Sequence, residues 1–291
     1  MKKLLIQLDT DPRASVFDAI VAHDGGADHL ISQAGVTPKD LPALIDGAIF
    51  TRAPRDKKNT ALFIGGSDMA AGEALLSATQ KRFFGDFRVS VMLDCNGSNT
   101  TAAACVAKVL SMTPVAGKRA VVLAGTGPVG QRVCAMLARA DCREIVLTSR
   151  SLERARSAAN AIETRFGIRV TPLEAATEPQ RASAVEGAQI AIACGASGVM
   201  LLPESAWARL PHLEVLADAN ATPPLGLGGI EMMDRGTERH GKRVWGAIGF
   251  GAFKLALHRA CIGRLFESHT TVLDAEEIFD LARDMTTTPH T

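Results

Sequence analysis

Residues 120–130, AVVLAGTGPVG, constrain the fold more than any other stretch of the 291-residue chain. AVVLA is a short apolar run that ends at glycine, the signature of a buried strand. Residues 129–140 then show apolar positions at helical spacing. Between them stand Gly125, Gly127 and Gly130, the pattern G-x-G-x-x-G. In a strand–turn–helix unit the first glycine permits the tight turn. The second lets backbone approach a pyrophosphate, and the third lets helix and strand pack closely. Gly125, Thr126, Gly127, Pro128, Val129 and Gly130 therefore form a candidate phosphate cradle at a helix N-terminus, where the helix dipole favours an anion. Glycines kept for packing alone are the competing explanation.

The next apolar strand, 144–147, runs into Thr148-Ser149-Arg150. A plain NAD site calls for Asp or Glu there, about 20 residues beyond the glycines, to bond the ribose 2′-OH. Ser149 offers a hydroxyl, and Arg150 a guanidinium able to grip a 2′-phosphate in a charge-assisted fork. Arg154, one helical turn on, adds a second cation. The pocket is thus expected to hold NADP, unless Arg150 simply lies in solvent. Gly195, in CGASG after the strand at 189–193, is a further candidate contact, because ligands of open parallel sheets sit beyond the carboxyl ends of the strands.

The rest of the chain alternates in the same way. Strands are expected at residues 3–8, 29–33, 60–64 and 88–93. Helices are expected at 15–22 (Ser15 as N-cap), 41–50 and from Asp68 to about residue 82. A polar turn at 94–99 precedes a small-residue helix, and a helix starts near residue 253. The fold class is therefore α/β, with two domains. Each is a parallel sheet with helices on both faces, and the second is a Rossmann dinucleotide-binding unit. Residues 1–99 with 253–291 form an N-terminal α/β substrate and catalytic domain; residues 100–252 form the NADP-binding domain.

Composition excludes several classes. The formal net charge of +1 gives no footprint for nucleic acid or an anionic membrane. No apolar run reaches the roughly 18–20 residues of a membrane span, and MKKLLIQLDTD is too short for a signal peptide. The six cysteines form no C-x-x-C and the seven histidines no H-E-x-x-H, so no metal is expected. Buried thiols in a reducing cytoplasm fit them better. Tyrosine is absent, which removes any Tyr-x-x-x-Lys mechanism.

Several longer segments carry a resemblance: QLDTDPRASVFD with HDGGADH, LDCNGSNTTAAA, AGTGPVGQR, NATPPLGLGGI, GAIGFGAFKLALHRACI and LFESHTTVLDAEEI. Together they resemble the NADP-dependent methylenetetrahydromethanopterin dehydrogenases of methylotrophic bacteria, over essentially the whole chain. The resemblance implies oxidation of the methylene bridge of a tetrahydropterin C1 carrier to the methenyl form, with NADP as acceptor. It implies tetrahydromethanopterin as carrier, and tetrahydrofolate also. It further implies two α/β domains with a cleft between them and a homo-oligomer, a trimer. The similar folate dehydrogenase–cyclohydrolases carry Tyr-x-x-x-Lys, so cyclohydrolase activity is not expected here.

Hydride removal from such a bridge leaves a delocalised cation, which a carboxylate would favour. Asp18, beyond the first strand, is the candidate; a solvated helix position is its bland alternative. Lys254 could anchor a pterin carbonyl or pair with Asp18, or serve as an interdomain or snorkelling lysine. Asp94, Asn96, Ser98 and Asn99 offer groups for a pterin edge, although turn formation explains the same residues. Two rival readings stand beside this one. One is a shikimate-type NADP dehydrogenase, which VLTSRSLERARSAA resembles; the other is a non-catalytic NADP sensor.

Overall fold

The computed structural model describes residues 1–287. Within them the chain divides into two compact units, residues 1–100 with 255–281 and residues 101–254 with the C-terminal residues from 282 on. The last stretch of the expected first domain, 288–291, lies outside the described residues.

The first unit contains β1 (Leu4–Asp9), α1 (Val16–Asp24), β2 (His29–Gln33), α2 (Leu41–Phe50), β3 (Thr60–Gly65), α3 (Met69–Arg82) and β4 (Ser90–Leu93). A short strand from the far end of the chain, β12 (Val272–Leu273), joins them. The sheet is parallel throughout, in the order β2-β1-β3-β4-β12. Its central strands are buried on both faces, as a helix-covered parallel sheet requires. Ile6, Leu8, Leu62, Ile64, Val91 and Leu93 share one face and pack with Ile45, Ile49 and Leu75 of α2 and α3. Leu5, Phe63 and Met92 alternate with them and are equally buried. α1 begins where expected: the Ser15 hydroxyl accepts the Asp18 N–H at 3.2 Å. Asp68 caps α3 in the same way.

The second unit contains most of α4 (Ser98–Leu110), then β5 (Arg119–Leu123), α5 (Pro128–Arg139), β6 (Glu144–Ser149), α6 (Leu152–Phe166), β7 (Thr171–Glu174), α7 (Glu178–Val185), β8 (Ile190–Ala193), α8 (Glu204–Trp207) and β9 (Val215–Asp218). The hairpin β10 (Arg235–Arg239) and β11 (Lys242–Trp245) follows. The sheet order is β7-β6-β5-β8-β9-β11-β10. It departs from the expected all-parallel sheet at one edge, where β10 runs antiparallel to β11 through the turn at His240 and Gly241, both in the left-handed region. Its core joins Val121, Leu123, Ala191, Leu216 and Val244 to the fully buried Trp207.

Three helices run from one unit into the other, α4, α9 (Ala247–Leu265) and α10 (Ala275–Thr287), the last of which ends the described chain. α9 starts six residues before the expected position. Gly249 and Gly251 lie inside it. A Cβ on Gly249 would sit 1.8 Å from the Asp234 carbonyl, so glycine there lets the helix touch the preceding loop.

Candidate functional site

The turn after β5 is built by sterics first. A Cβ on Gly130 would lie 2.5 Å from both Cα and O of Gly125. One on Gly125 would lie 2.8 Å from Val122 Cγ1. These two glycines are demanded by the fold. Gly127 is not: its φ is −78° and a Cβ there would meet no protein atom within 4 Å. The space beside Gly127 is open to a ligand, and α5 starts just after it with no side chain capping its N–H groups. Ala124, in the left-handed region at φ 52°, is held by β6. Its N–H donates to Thr148 Oγ1 at 3.0 Å and the Gly125 N–H to the Thr148 carbonyl at 3.1 Å.

Above this turn lies a cavity of about 420 Å³. Its lining brings together Thr126, Gly127, Ser149, Arg150, Arg154 and Gly195, six of the residues singled out in the sequence. Arg150 and Arg154 are exposed at its edge, and Ser149 is buried beneath them. No carboxylate is among the lining residues, so the cavity is electropositive. Gly125, Pro128, Val129 and Gly130 form the turn itself. A flat apolar ring with phosphates fits this combination of guanidinium groups, uncapped helix and apolar wall. Sequence reasoning missed Ala124, Thr148, Arg181 and residues 199–201. Of these, only Ala124 and Thr148 lay in segments already under suspicion.

Beyond β9, Asp218 is fully buried and organises the neighbouring loop. It accepts the Asn220 N–H at 2.9 Å and the Leu227 N–H at 2.8 Å. Burial raises its pKa to about 6 despite those bonds, which pull the other way. Cys194, also lining the cavity, has its thiol pushed well up by burial, as do the buried Cys105, Cys134 and Cys261. Such thiols make poor nucleophiles.

In the first unit, Asp18 is 8% exposed and so buried rather than solvated. Its Oδ2 lies 3.5 Å, and that of Asp9 3.7 Å, from where a Cβ on Gly65 would sit. Two carboxylates thus lie beside Gly65, at the carboxyl ends of β1 and β3. Asp9 holds the loop after β1, accepting from the N–H groups of Asp11 and Ser15, each at 2.9 Å.

The polar stretch at 94–99 is turned inward. Asp94 is fully buried; its Oδ1 accepts the Asn99 N–H at 2.8 Å and the Thr100 N–H at 3.1 Å, and its Oδ2 the Thr100 hydroxyl at 2.6 Å. Asn99, also fully buried, donates to the Leu93 carbonyl at 2.7 Å and to Asp274 at 3.0 Å. These groups start α4 and tie β4 to the C-terminal segment. Ser98 is buried as well, and only Asn96, at φ 52°, is exposed. Lys254 is half-buried within α9, and its neighbour Phe253 lies 4.0 Å from the Lys108 ammonium, whose pKa burial lowers.

A family profile described as methylene-tetrahydromethanopterin dehydrogenase, N-terminal, matches residues 16–96. The chain is 54% identical over 286 residues to the bifunctional protein MdtA of Methylorubrum extorquens, covering 98% of this chain and 99% of that protein. The chain belongs to the methylene-tetrahydromethanopterin dehydrogenase family. A second family relative from the same organism, an NAD(P)-dependent methylenetetrahydromethanopterin dehydrogenase, is 31% identical over 237 residues, 79% of this chain and 80% of its own. The family fold extends to more distant structures. Shikimate 5-dehydrogenase from Listeria monocytogenes superposes with a TM-score of 0.57 at 11% identity, over 96% of each chain. Ligand-free 5-ketofructose reductase of Gluconobacter sp. strain CHM43 superposes with 0.55 at 16% identity, over 98% of this chain and 99% of its own. At such identities the likeness concerns the fold alone. No helix among the described residues is long and apolar enough to cross a membrane.

Proposed function

We propose that this protein is a dehydrogenase of one-carbon metabolism that oxidises the methylene bridge of methylene-tetrahydromethanopterin, and of methylene-tetrahydrofolate, to the methenyl form with NADP. The observation that carries the reading is family membership across the whole chain joined to an electropositive cavity on the glycine turn. The residues present fit a dinucleotide: Gly127 leaves room where a pyrophosphate would lie, and α5 offers uncapped N–H groups. When bound, the nicotinamide supplies the hydride acceptor. Ser149, Arg150 and Arg154 are proposed to select NADP over NAD, because a 2′-phosphate gains charge-assisted bonds there and nothing acidic repels it.

The remaining chemistry requires positioning and charge more than proton transfer. The flanking nitrogens of the pterin carry the developing positive charge. Asp18 is proposed to favour it, its burial strengthening the field it exerts. Lys254 is proposed to hold the pterin carbonyl, and Asn96, the exposed member of its loop, a pterin edge. The first unit, together with Lys254 of α9, is proposed to supply the substrate chemistry, and the second to bind NADP. We also propose a cytoplasmic homo-oligomer, trimeric by family resemblance; the buried free thiols suit a reducing compartment.

The test is NADP reduction followed spectrophotometrically with methylene-tetrahydromethanopterin and methylene-tetrahydrofolate in parallel, with NAD as the comparison acceptor. The methenyl product is expected to appear with NADP. Absence of turnover on both carriers would sink the proposal.

A further inference from the structure

The roof of the cavity is residues 199–201, which follow β8 and belong to no regular element. Val199 and Met200 are 47% and 46% exposed, large apolar side chains lining a cavity that also carries three guanidinium groups. Leu201, by contrast, is fixed from three directions. Its side chain packs on Gly195, where a Cβ would fall 2.9 Å from Leu201 Cδ1. Its N–H donates to the Gly226 carbonyl at 2.8 Å. Its carbonyl accepts from Nε of Arg181. The same guanidinium donates through Nη1 to the Ala176 carbonyl at 2.8 Å and the Ala175 carbonyl at 3.4 Å. One side chain on α7 therefore ties the loop after β7 to the segment after β8, and both border the cavity.

We propose that Arg181 is a positioning residue for the adenosine half of the bound dinucleotide, holding residues 199–201 where their apolar side chains cover a face of the base. The proposal rests on the nicotinamide-cofactor reading above. Two of the guanidinium nitrogens are committed to main-chain carbonyls, so the role is to fix a wall. Arg150 and Arg154 border the cavity elsewhere, at the end of β6 and on α6. The division of labour follows. Arg150 and Arg154 set the choice between NADP and NAD. Arg181 sets affinity for the part the two cofactors share. Lysine does not replace it, because a single ammonium on a flexible stem lacks the planar fork that bridges two loops.

The experiment is fluorescence titration of wild type, Arg181→Ala and Arg181→Lys with NADPH and with NADH, and calorimetry with 5′-AMP as the adenosine probe. Thermal melts check folding, and Arg181→Lys carries the test if the alanine variant does not fold. Loss of these charged hydrogen bonds is expected to weaken both dinucleotides about tenfold in both variants. 5′-AMP weakens in step, and the NADPH-to-NADH affinity ratio stays at the wild-type value. Variants that bind like wild type overturn the proposal. So does a loss confined to NADPH and restored by lysine, since Arg181 would then read the 2′-phosphate. A wild-type protein that binds neither dinucleotide overturns the cofactor reading itself, an outcome visible before any Arg181 variant is made.

Discussion

The loops after β1 and after β5 occupy equivalent places in their sheets. In each sheet the strand order reverses at the first strand of its unit, β2-β1-β3 in one and β6-β5-β8 in the other. Ligands of open parallel sheets bind at such reversal points. The two loops spend their hydrogen-bonding groups in opposite ways. After β1, Asp9 collects the N–H groups of Asp11 and Ser15, and Ser15 caps α1. After β5, glycines replace side chains and α5 is left uncapped. One end gathers two carboxylates, Asp9 and Asp18; the other is lined by Arg150, Arg154 and Arg181. A helix capped from within has used the donors an anion would need, whereas an uncapped one at a cavity keeps them available. The acidic end suits a substrate that becomes cationic, and the basic end a cofactor that carries phosphates.

The comparison breaks most readily at Asp18. If the acidic end serves the chemistry, Asp18→Asn lowers kcat by about 10²–10³-fold, the usual scale for removing one preorganised electrostatic partner. NADP affinity, measured by titration, stays at the wild-type value; an unchanged kcat would remove Asp18 from the reaction.

The glycine turn offers the next contrast. Gly130→Ala forces a Cβ into the Gly125 backbone. It is expected to cost about 2–3 kcal/mol in urea unfolding and to abolish NADP binding. Gly127→Ala meets no protein atom. It should cost less than about 1 kcal/mol while weakening NADP at least tenfold. Equal stability losses in the two variants would erase the distinction between a fold glycine and a ligand glycine.

Asp218 sharpens the comparison with Asp9, since each carboxylate organises a loop at a strand end. The Asp218 pKa is raised from 3.8 to about 6, so the folded state holds its proton over a window where the unfolded chain has lost it. Stability from this group is therefore full below about pH 4, falls as pH rises through 6 and is level above. At about 1.4 kcal/mol per unit the loss is about 3 kcal/mol. Unfolding free energies of wild type and Asp218→Asn across that range should differ by this pH-dependent amount. Parallel curves would show that Asp218 is ionised in both states.

Arg150→Ala is expected to raise the KM for NADP about 10–100-fold, with NAD little affected and kcat retained, since the ribose is remote from the hydride. Salt should narrow the wild-type preference for NADP and barely alter that of the variant. Full retention of the preference would move the phosphate to Arg154.

Features that depend on near neighbours in the chain were legible from the residues. The strand at His29–Gln33 and the helix at Leu41–Phe50 have the expected bounds, and Ser15 and Asp68 cap the helices they precede. Periodicity and capping are local, so the sequence carries them directly. The polar run at 94–99 shows the limit. Its composition suits a turn or a ligand edge, yet β4 feeds it straight into the buried start of α4, where Asp94 and Asn99 satisfy main-chain groups. A polar residue satisfying a buried backbone looks the same in sequence as one awaiting a ligand.

By itself the sequence determined the α/β alternation, the glycine turn and the lack of an acidic residue where NAD would need one. These are matters of side-chain volume, φ and period within a few residues. Tertiary structure alone decided which distant segments meet. β12 pairs with β4 about 180 residues away, a contact paid for in chain entropy and repaid only by the assembled sheet. The antiparallel edge strand β10, the burial of Asp18 beside Asp9, and the bridge that Arg181 makes between two loops follow from the same cause. Each depends on where a side chain arrives once the sheets have closed around it, and no spacing along the chain encodes that arrival.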